Sequence, residues 1–134
     1  MDDPSLEVGG AFHVLVADDS REVRELLFEA LSSIDCTVTC VGDGQEALAS
    51  LEAGPYDLLI TDYHMPRLNG MVLLRCSRAL APRLAAAILI TGQASPDVID
   101  EAERAGATFV IPKPFAIPHI LSLVEFIRDR RPLV

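Results

Sequence analysis

The chain is poor in cysteine, and it lacks both long apolar runs and a basic start. Its three cysteines are an odd number, which fits a reducing compartment better than a disulfide framework. No apolar run approaches the roughly 20 residues that a membrane-spanning helix needs. The first residues are acidic, whereas a secretory signal peptide begins with positive charge. These absences predict a cytoplasmic protein without a membrane-spanning segment.

Positive charge is scarce as well. The 134 residues include 11 Lys and Arg against 20 Asp and Glu, so the formal net charge is −9. A surface with this charge is repelled by the phosphate backbone of nucleic acids and by anionic membrane surfaces. We therefore expect no direct binding to nucleic acid and none to membranes.

Five short apolar runs alternate with segments of helical periodicity. The runs have the length of strands and cover Phe12–Ala17, Cys36–Val41, residues 57–61, Ala86–Thr91 and residues 108–111. Three of the helical segments begin with the capping residues Ser20, Asp43 and Ser95. Strands that alternate with helices predict a parallel sheet covered on both faces. The expected fold class is therefore α/β, with a single doubly wound sheet of five parallel strands flanked by five helices.

The two ends of the chain differ from its centre. Residues 1–10 are polar and end in two glycines, so we expect a flexible lead there. Residues 11–131 carry the strand and helix pattern without a linker or a shift in composition. This pattern predicts one domain over residues 11–131 and no output domain in this chain.

Polar side chains stand at the ends of four of the apolar runs. Asp18 and Asp19 follow the first run, Asp62 follows the third, Thr91 ends the fourth and Lys113 follows the fifth. Strand ends of one sense lie along one edge of an open parallel sheet, where ligand sites form. We therefore expect three acids, a hydroxyl and an amine to converge in one cleft. Three carboxylates suit Mg²⁺, which prefers oxygen ligands and shares them with phosphates.

Three of these groups suit phosphoryl chemistry. The Asp62 carboxylate can accept a phosphoryl group and form an acyl phosphate. Lys113 is a compact cation that can pair with phosphoryl oxygens, and Thr91 can donate its hydroxyl to them. Taken singly, Asp62 could equally be a turn residue and Thr91 an ordinary strand-end residue. The combination favours a phosphorylation site.

The same residues resemble a known family. The acid pair Asp18 and Asp19, the segment 62–70, Thr91 and residues 113–115 resemble the receiver domain of two-component response regulators. The resemblance covers about residues 12–130 and implies a flavodoxin-like sheet with strand order 2-1-3-4-5. It also implies transfer of a phosphoryl group to Asp62 from the phosphohistidine of a sensor histidine kinase or of a histidine phosphotransfer protein.

The resemblance implies a ligand set for the metal. Asp19, Asp62 and the backbone carbonyl of His64 would bind Mg²⁺ directly, and Asp18 would act largely through water. Mn²⁺ could replace Mg²⁺. Thr91 and the lysine would hold the phosphoryl oxygens.

The resemblance also implies residues that tune the switch, and here the chain departs from the family. His64 and Gln93 occupy positions that tune hydrolysis of the acyl phosphate. An aromatic residue commonly lies three positions before the family's lysine, where this chain has Val110. Phe109 is next to it, but neighbouring strand residues point to opposite faces. We therefore expect phosphorylation to be retained and its coupling to the fourth helix to be altered.

The implied activity is a switch rather than an enzyme with a separate substrate. The protein would catalyse its own phosphorylation and, in some conditions, its own dephosphorylation. The downstream partner would be a protein whose identity the sequence does not contain. A homodimer could form through the face made by the fourth helix, fifth strand and fifth helix.

Three other interpretations compete with this one. Residues 42–47 match the dinucleotide-binding pattern G-x-G-x-x-A, but Asp43 and Glu46 put negative charge where a pyrophosphate would bind. A flavin carrier of the same topology would need a phosphate-binding loop after the first strand, where this chain has two acids. The third interpretation is a non-phosphorylated interaction module of the same fold.

Overall fold

The structure is a computed structural model that describes residues 11–130, so the lead predicted over residues 1–10 lies outside the described residues. Five strands alternate with five helices along the described chain. The strands are β1 (Phe12–Ala17), β2 (Cys36–Val41), β3 (Leu58–Asp62), β4 (Ala86–Thr91) and β5 (Phe109–Pro112). The helices are α1 (Arg21–Ser32), α2 (Gly44–Ala53), α3 (Gly70–Leu80), α4 (Pro96–Ala105) and α5 (Ile117–Arg130).

The strands form one parallel sheet in the order β2-β1-β3-β4-β5. Every residue of β3 and β4 is buried, as the uninterrupted apolar runs of these two strands predict. The doubly wound α/β fold and the strand order are therefore confirmed. No helix within residues 11–130 is long and apolar enough to cross a membrane.

The sheet separates two layers of core. One layer packs α1 and α5 against the sheet, and the other packs α2, α3 and α4. Phe109 belongs to the α1 and α5 layer, whereas Val110 packs in the layer that contains Ala102 of α4. The ring of Phe109 therefore lies on the opposite face of the sheet from α4, as strand alternation predicts.

Side-chain caps fix where four helices begin. The side chains of Ser20, Asp43, Asn69 and Ser95 accept backbone N–H bonds from the first turns of α1, α2, α3 and α4. A second acid contributes a hydrogen bond at the start of α2. The Glu46 carboxylate accepts a hydrogen bond from the N–H of Gly42 at 3.0 Å, which is one residue before the cap.

Two strands lie one residue later than predicted. The third strand is Leu58–Asp62 rather than residues 57–61, and the fifth is Phe109–Pro112 rather than residues 108–111. Both shifts follow the register with β4, in which Asp62 pairs with Ile90, and Thr91 with Pro112. Asp62 is therefore the last residue of β3 and is paired with β4.

Candidate functional site

The carboxyl ends of four strands bring the five predicted side chains to one edge of the sheet. Asp18 and Asp19 follow β1, Asp62 ends β3, Thr91 ends β4 and Lys113 follows β5. Asp18, Asp62 and Thr91 are buried. The N–H of Lys113 donates to the carbonyl of Thr91 at 2.9 Å and holds the end of β5 beside the end of β4.

An ion pair lies at the centre of the site. Lys113 Nζ is 2.8 Å from Asp62 Oδ1, and the side chains are 37% and 4% exposed, respectively. Lys113 is the only lysine in the sequence. Burial alone would lower the pKa of its ammonium, but the hydrogen bond to Asp62 and the nearby carboxylates outweigh burial and raise the pKa. Lys113 therefore remains a cation at neutral pH and offsets part of the acid charge.

The acid cluster has the composition and spacing of a divalent metal site. Asp18, Asp19 and Asp62 each offer a carboxylate oxygen within 4.8 Å of the other two. Asp18 Oδ1 accepts the N–H of Ser20 at 2.8 Å, whereas buried Asp18 Oδ2 has no hydrogen-bond partner among the described residues. A buried carboxylate oxygen without a donor is costly unless a cation binds it. The residues present therefore fit Mg²⁺.

Crowding at the site changes the titration of Asp18. Burial raises the pKa of Asp18 above its ordinary value, and the carboxylates of Asp62 and Asp19 act in the same direction. The N–H of Ser20 and the charge of Lys113 oppose the shift without cancelling it. Ionised Asp18 therefore lowers the free energy of unfolding of the metal-free protein.

An Asp18→Asn variant is expected to be more stable than wild type in a chelator at pH 7. The asparagine can still accept the N–H of Ser20, and it removes the cost of burying a charged carboxylate beside two others, which is on the order of 1 kcal/mol. Because the pKa of Asp18 is raised in the folded state, its ionisation does not destabilise the protein below the ordinary pKa of 3.8. The destabilisation grows as the pH rises from that value towards the folded pKa. The stability gain should therefore vanish near pH 3.5, in urea unfolding measured at both values.

The control for this variant is Glu52→Gln, which makes the same charge change on an exposed residue of α2. It should not reproduce the gain. Added Mg²⁺ should stabilise wild type more than Asp18→Asn, because the variant has one carboxylate charge fewer beside the metal. If wild type is more stable than Asp18→Asn in chelator at pH 7, ionised Asp18 does not destabilise the metal-free protein and the prediction is wrong.

Thr91 is held as an acceptor. Its buried Oγ1 accepts the N–H of Gln93 at 3.0 Å, which leaves the hydroxyl hydrogen to be donated. Gln93 itself is exposed. The hydroxyl therefore links the end of β4 to the loop that follows it and can still donate one hydrogen bond.

His64 borders an open cleft beside the acid cluster. The cleft has a volume of about 420 Å³ and is lined by Asp19, Tyr63, His64, Met65, Pro66 and Asn69. The His64 ring is exposed and lies 4.8 Å from the Tyr63 ring, centroid to centroid. The His64 imidazole and the Asp19 carboxylate therefore line the same cleft.

Gly70 has a role in the site that the sequence does not predict. Its N–H donates to the carbonyl of Tyr63 at 2.8 Å. A Cβ at this position would lie 2.2 Å from the carbonyl oxygen of Asp62. Only glycine permits this approach, which packs the start of α3 under the end of β3. No local sequence pattern distinguishes this glycine from an ordinary turn residue.

The dinucleotide interpretation does not fit the start of α2. The N–H of Glu46 donates to Asp43 Oδ1 at 2.8 Å, and the N–H of Gly42 donates to the Glu46 carboxylate. The chain's own acids thus occupy backbone donors that a pyrophosphate would need.

Comparisons with known proteins point to one family. The family model described as "Response regulator receiver domain" matches residues 14–125. A response regulator receiver protein from Anaeromyxobacter is 39% identical over 109 residues, which cover 81% of this chain and 45% of that protein. The chemotaxis protein CheY of Pseudomonas aeruginosa is 34% identical over 120 residues, which cover 87% of this chain and 96% of that protein.

Solved structures agree with these matches. The chemotaxis response regulator CheY4 of Vibrio cholerae superposes on this chain with a TM-score of 0.80 at 27% identity. The superposition covers 87% of this chain and 98% of CheY4. The chain therefore spans nearly the whole of the two chemotaxis proteins, but less than half of the Anaeromyxobacter protein.

Proposed function

The chain belongs to the response regulator receiver domain family, and from this premise we propose that it is a phosphorylation switch whose acceptor is Asp62. Members of this family act as signalling switches. The phosphoryl donor in our proposal is the phosphohistidine of a sensor histidine kinase or of a histidine phosphotransfer protein. The observation that carries the proposal is the Asp62–Lys113 ion pair of 2.8 Å beside the partnerless, buried oxygen of Asp18.

The transfer step needs a nucleophile and a leaving group. A carboxylate oxygen of Asp62 attacks phosphorus, an O–P bond forms, and the P–N bond of the phosphohistidine breaks. The bonding electrons return to the imidazole nitrogen of the donor. The product is an acyl phosphate on Asp62 and a dephosphorylated donor histidine.

Charge neutralisation accounts for most of the expected rate, since phosphoryl transfer depends mainly on positioning and electrostatics. Asp19, Asp62 and the carbonyl of His64 would hold Mg²⁺, with Asp18 acting through water. When bound, Mg²⁺ supplies positive charge to the phosphoryl oxygens. Lys113 supplies a second positive charge, 2.8 Å from Asp62 Oδ1, and its raised pKa keeps it protonated.

Thr91 connects the phosphoryl group to the rest of the fold. Its hydroxyl can donate to a phosphoryl oxygen while Oγ1 still accepts the N–H of Gln93 at 3.0 Å. If Thr91 moves towards the phosphoryl group, this hydrogen bond would pull on the loop between β4 and α4. A local charge change at Asp62 would in this way reach α4. His64, in the cleft beside Asp19, and Gln93, bonded to Thr91, are proposed to tune hydrolysis of the acyl phosphate.

The output surface of this proposal is the face formed by α4, β5 and α5, which would bind a downstream protein or a second copy of the chain. Val110 occupies the position at which family members commonly have an aromatic residue. It packs in the core layer that contains Ala102 of α4. A valine has no ring that can alternate between two positions. We therefore expect weak coupling between Asp62 and α4. A cytoplasmic location is part of the same proposal.

A Val110→Tyr variant tests this coupling. Phosphorylation should shift the backbone amide NMR signals of α4 more strongly in Val110→Tyr than in wild type. Phe109→Leu, on the opposite face of the sheet, should leave the response of α4 unchanged. Equal shifts in wild type and Val110→Tyr would show that Val110 does not limit the coupling.

Phosphotransfer from labelled histidine phosphoproteins tests the function itself. Label should move from at least one member of a kinase panel to wild type in Mg²⁺. It should not move to Asp62→Asn or in the presence of a chelator. If no donor transfers label and acetyl phosphate also fails, the non-phosphorylated interaction module becomes the better interpretation.

A further inference from the structure

Arg24 of α1 is hydrogen-bonded to the backbone of Asp18, one of the three acids of the cluster. Its Nη1 donates to the backbone carbonyl of Asp18 at 2.8 Å. The N–H of Asp18 donates to the carbonyl of Val41 at 3.1 Å, and Asp18 Oδ1 accepts the N–H of Ser20. Every hydrogen-bonding atom of Asp18 except Oδ2 is therefore satisfied within residues 11–130. These three bonds fix the backbone and one carboxylate oxygen, and they leave Oδ2 as the atom that can bind a ligand.

The Arg24 side chain also reaches the neighbouring strand. A Cβ on Gly42 would lie 3.2 Å from Arg24 Nη1 and 3.7 Å from Cζ, so the guanidinium lies directly against the backbone after β2. The carbonyl of Arg24 accepts the thiol of Cys40 in β2 at 3.7 Å. Arg24 is thus half-buried between the ends of β1 and β2, where its position is fixed by contacts on both sides.

We propose that Arg24 is a positioning residue for the divalent metal, because it holds the backbone of Asp18 and so fixes the position of this carboxylate in the acid cluster with Asp19 and Asp62. The proposal rests on the metal site of the proposed function. It assigns to Arg24 a role through Asp18, without contact to the metal or to the phosphoryl group.

Two effects of Arg24 on the metal have opposite signs. As a nearby cation, its guanidinium repels Mg²⁺, so a purely electrostatic role predicts tighter binding when Arg24 is neutralised. As an anchor of Asp18, it favours Mg²⁺, so a positioning role predicts weaker binding. The sign of the change in Mg²⁺ affinity therefore distinguishes the two.

The matched control is Arg21, which is also on α1 and also positive. Its side chain is 83% exposed and pairs with Glu25 at 2.8 Å. Arg21→Met makes the same charge change as Arg24→Met without removing a bond to Asp18. Calorimetric titration of the unphosphorylated full chain with MgCl₂ gives the Kd of each variant. We expect Arg24→Met to raise the Kd for Mg²⁺ on the order of tenfold, and Arg21→Met to leave it unchanged or lower it.

An Arg24→Met protein that binds Mg²⁺ as tightly as wild type, or more tightly, would overturn the proposal. If Arg24→Met does not fold, Arg24→Gln is measured by the same criterion, since its shorter side chain also withdraws the donor from the Asp18 carbonyl.

Phosphorylation by acetyl phosphate at varied Mg²⁺ gives a second readout. For Arg24→Met, the Mg²⁺ concentration at half-maximal rate should rise on the order of tenfold, while the rate at saturating Mg²⁺ recovers to near that of wild type. A lower maximal rate with an unchanged Mg²⁺ dependence would contradict positioning. The two proposals fail separately: wild type that binds Mg²⁺ but is never phosphorylated refutes the function, whereas unchanged Mg²⁺ affinity in Arg24→Met refutes only the role of Arg24.

Discussion

Replacing Gly70 with alanine is expected to lower the free energy of unfolding by about 3 kcal/mol and to weaken both Mg²⁺ binding and phosphorylation of Asp62. The added Cβ would lie 2.2 Å from the carbonyl oxygen of Asp62 and 3.1 Å from Leu89 Cδ1. Because the oxygen belongs to the backbone, no side-chain rotation relieves the clash. The end of β3 or the start of α3 has to move, and Asp62 moves with it.

Gly92→Ala is the matched control for Gly70→Ala. A Cβ on Gly92, which follows Thr91 at the same edge of the sheet, meets no atom of the described residues within 4 Å. Its effect should stay within about 0.5 kcal/mol. Urea unfolding gives the stabilities, and titration with MgCl₂ gives the affinities. A Gly70→Ala protein with the stability and Mg²⁺ affinity of Gly92→Ala would contradict the close packing of α3 against Asp62.

Asp62→Asn is expected to reduce phosphoryl uptake by at least about 100-fold. The amide oxygen is a poor nucleophile, so no acyl phosphate forms at this position. Lys113 also loses the charged partner that now lies 2.8 Å from its Nζ. Asparagine has nearly the volume of aspartate, so the fold is retained. Uptake of label from radiolabelled acetyl phosphate measures the effect.

The control for Asp62→Asn is Asp97→Asn, which makes the same change on an exposed acid in the first turn of α4. Its uptake should equal that of wild type. Equal loss in both variants would mean that overall charge, rather than the acceptor at the end of β3, limits the reaction.

The architecture was predictable because its signals are local. Apolar runs mark the five strands, and the capping side chains of Ser20, Asp43 and Ser95 mark where three helices begin. The convergence of Asp62, Thr91 and the other strand-end groups follows from topology, since parallel strands present their carboxyl ends at one edge. The bounds of β3 and β5 were wrong by one residue because pairing with β4, which is not local, decides them.

The contacts that shape the site were not predictable from sequence patterns. Gly70 at the start of α3 packs against the backbone of Asp62 at the end of β3, and the guanidinium of Arg24 on α1 packs against Gly42 after β2. The partnerless oxygen of Asp18 depends on which of its two oxygens the N–H of Ser20 takes. Periodicity and composition describe single elements, whereas these contacts are set by how the elements pack.

Intact-mass spectrometry after incubation with acetyl phosphate and Mg²⁺ tests the central claim most directly. Wild type should gain the mass of one phosphoryl group, and the gain should disappear with a chelator and in Asp62→Asn. The same gain in Asp62→Asn would contradict the assignment of the acceptor. Absence of any gain in wild type, with acetyl phosphate and with phosphohistidine donors alike, would contradict the switch itself.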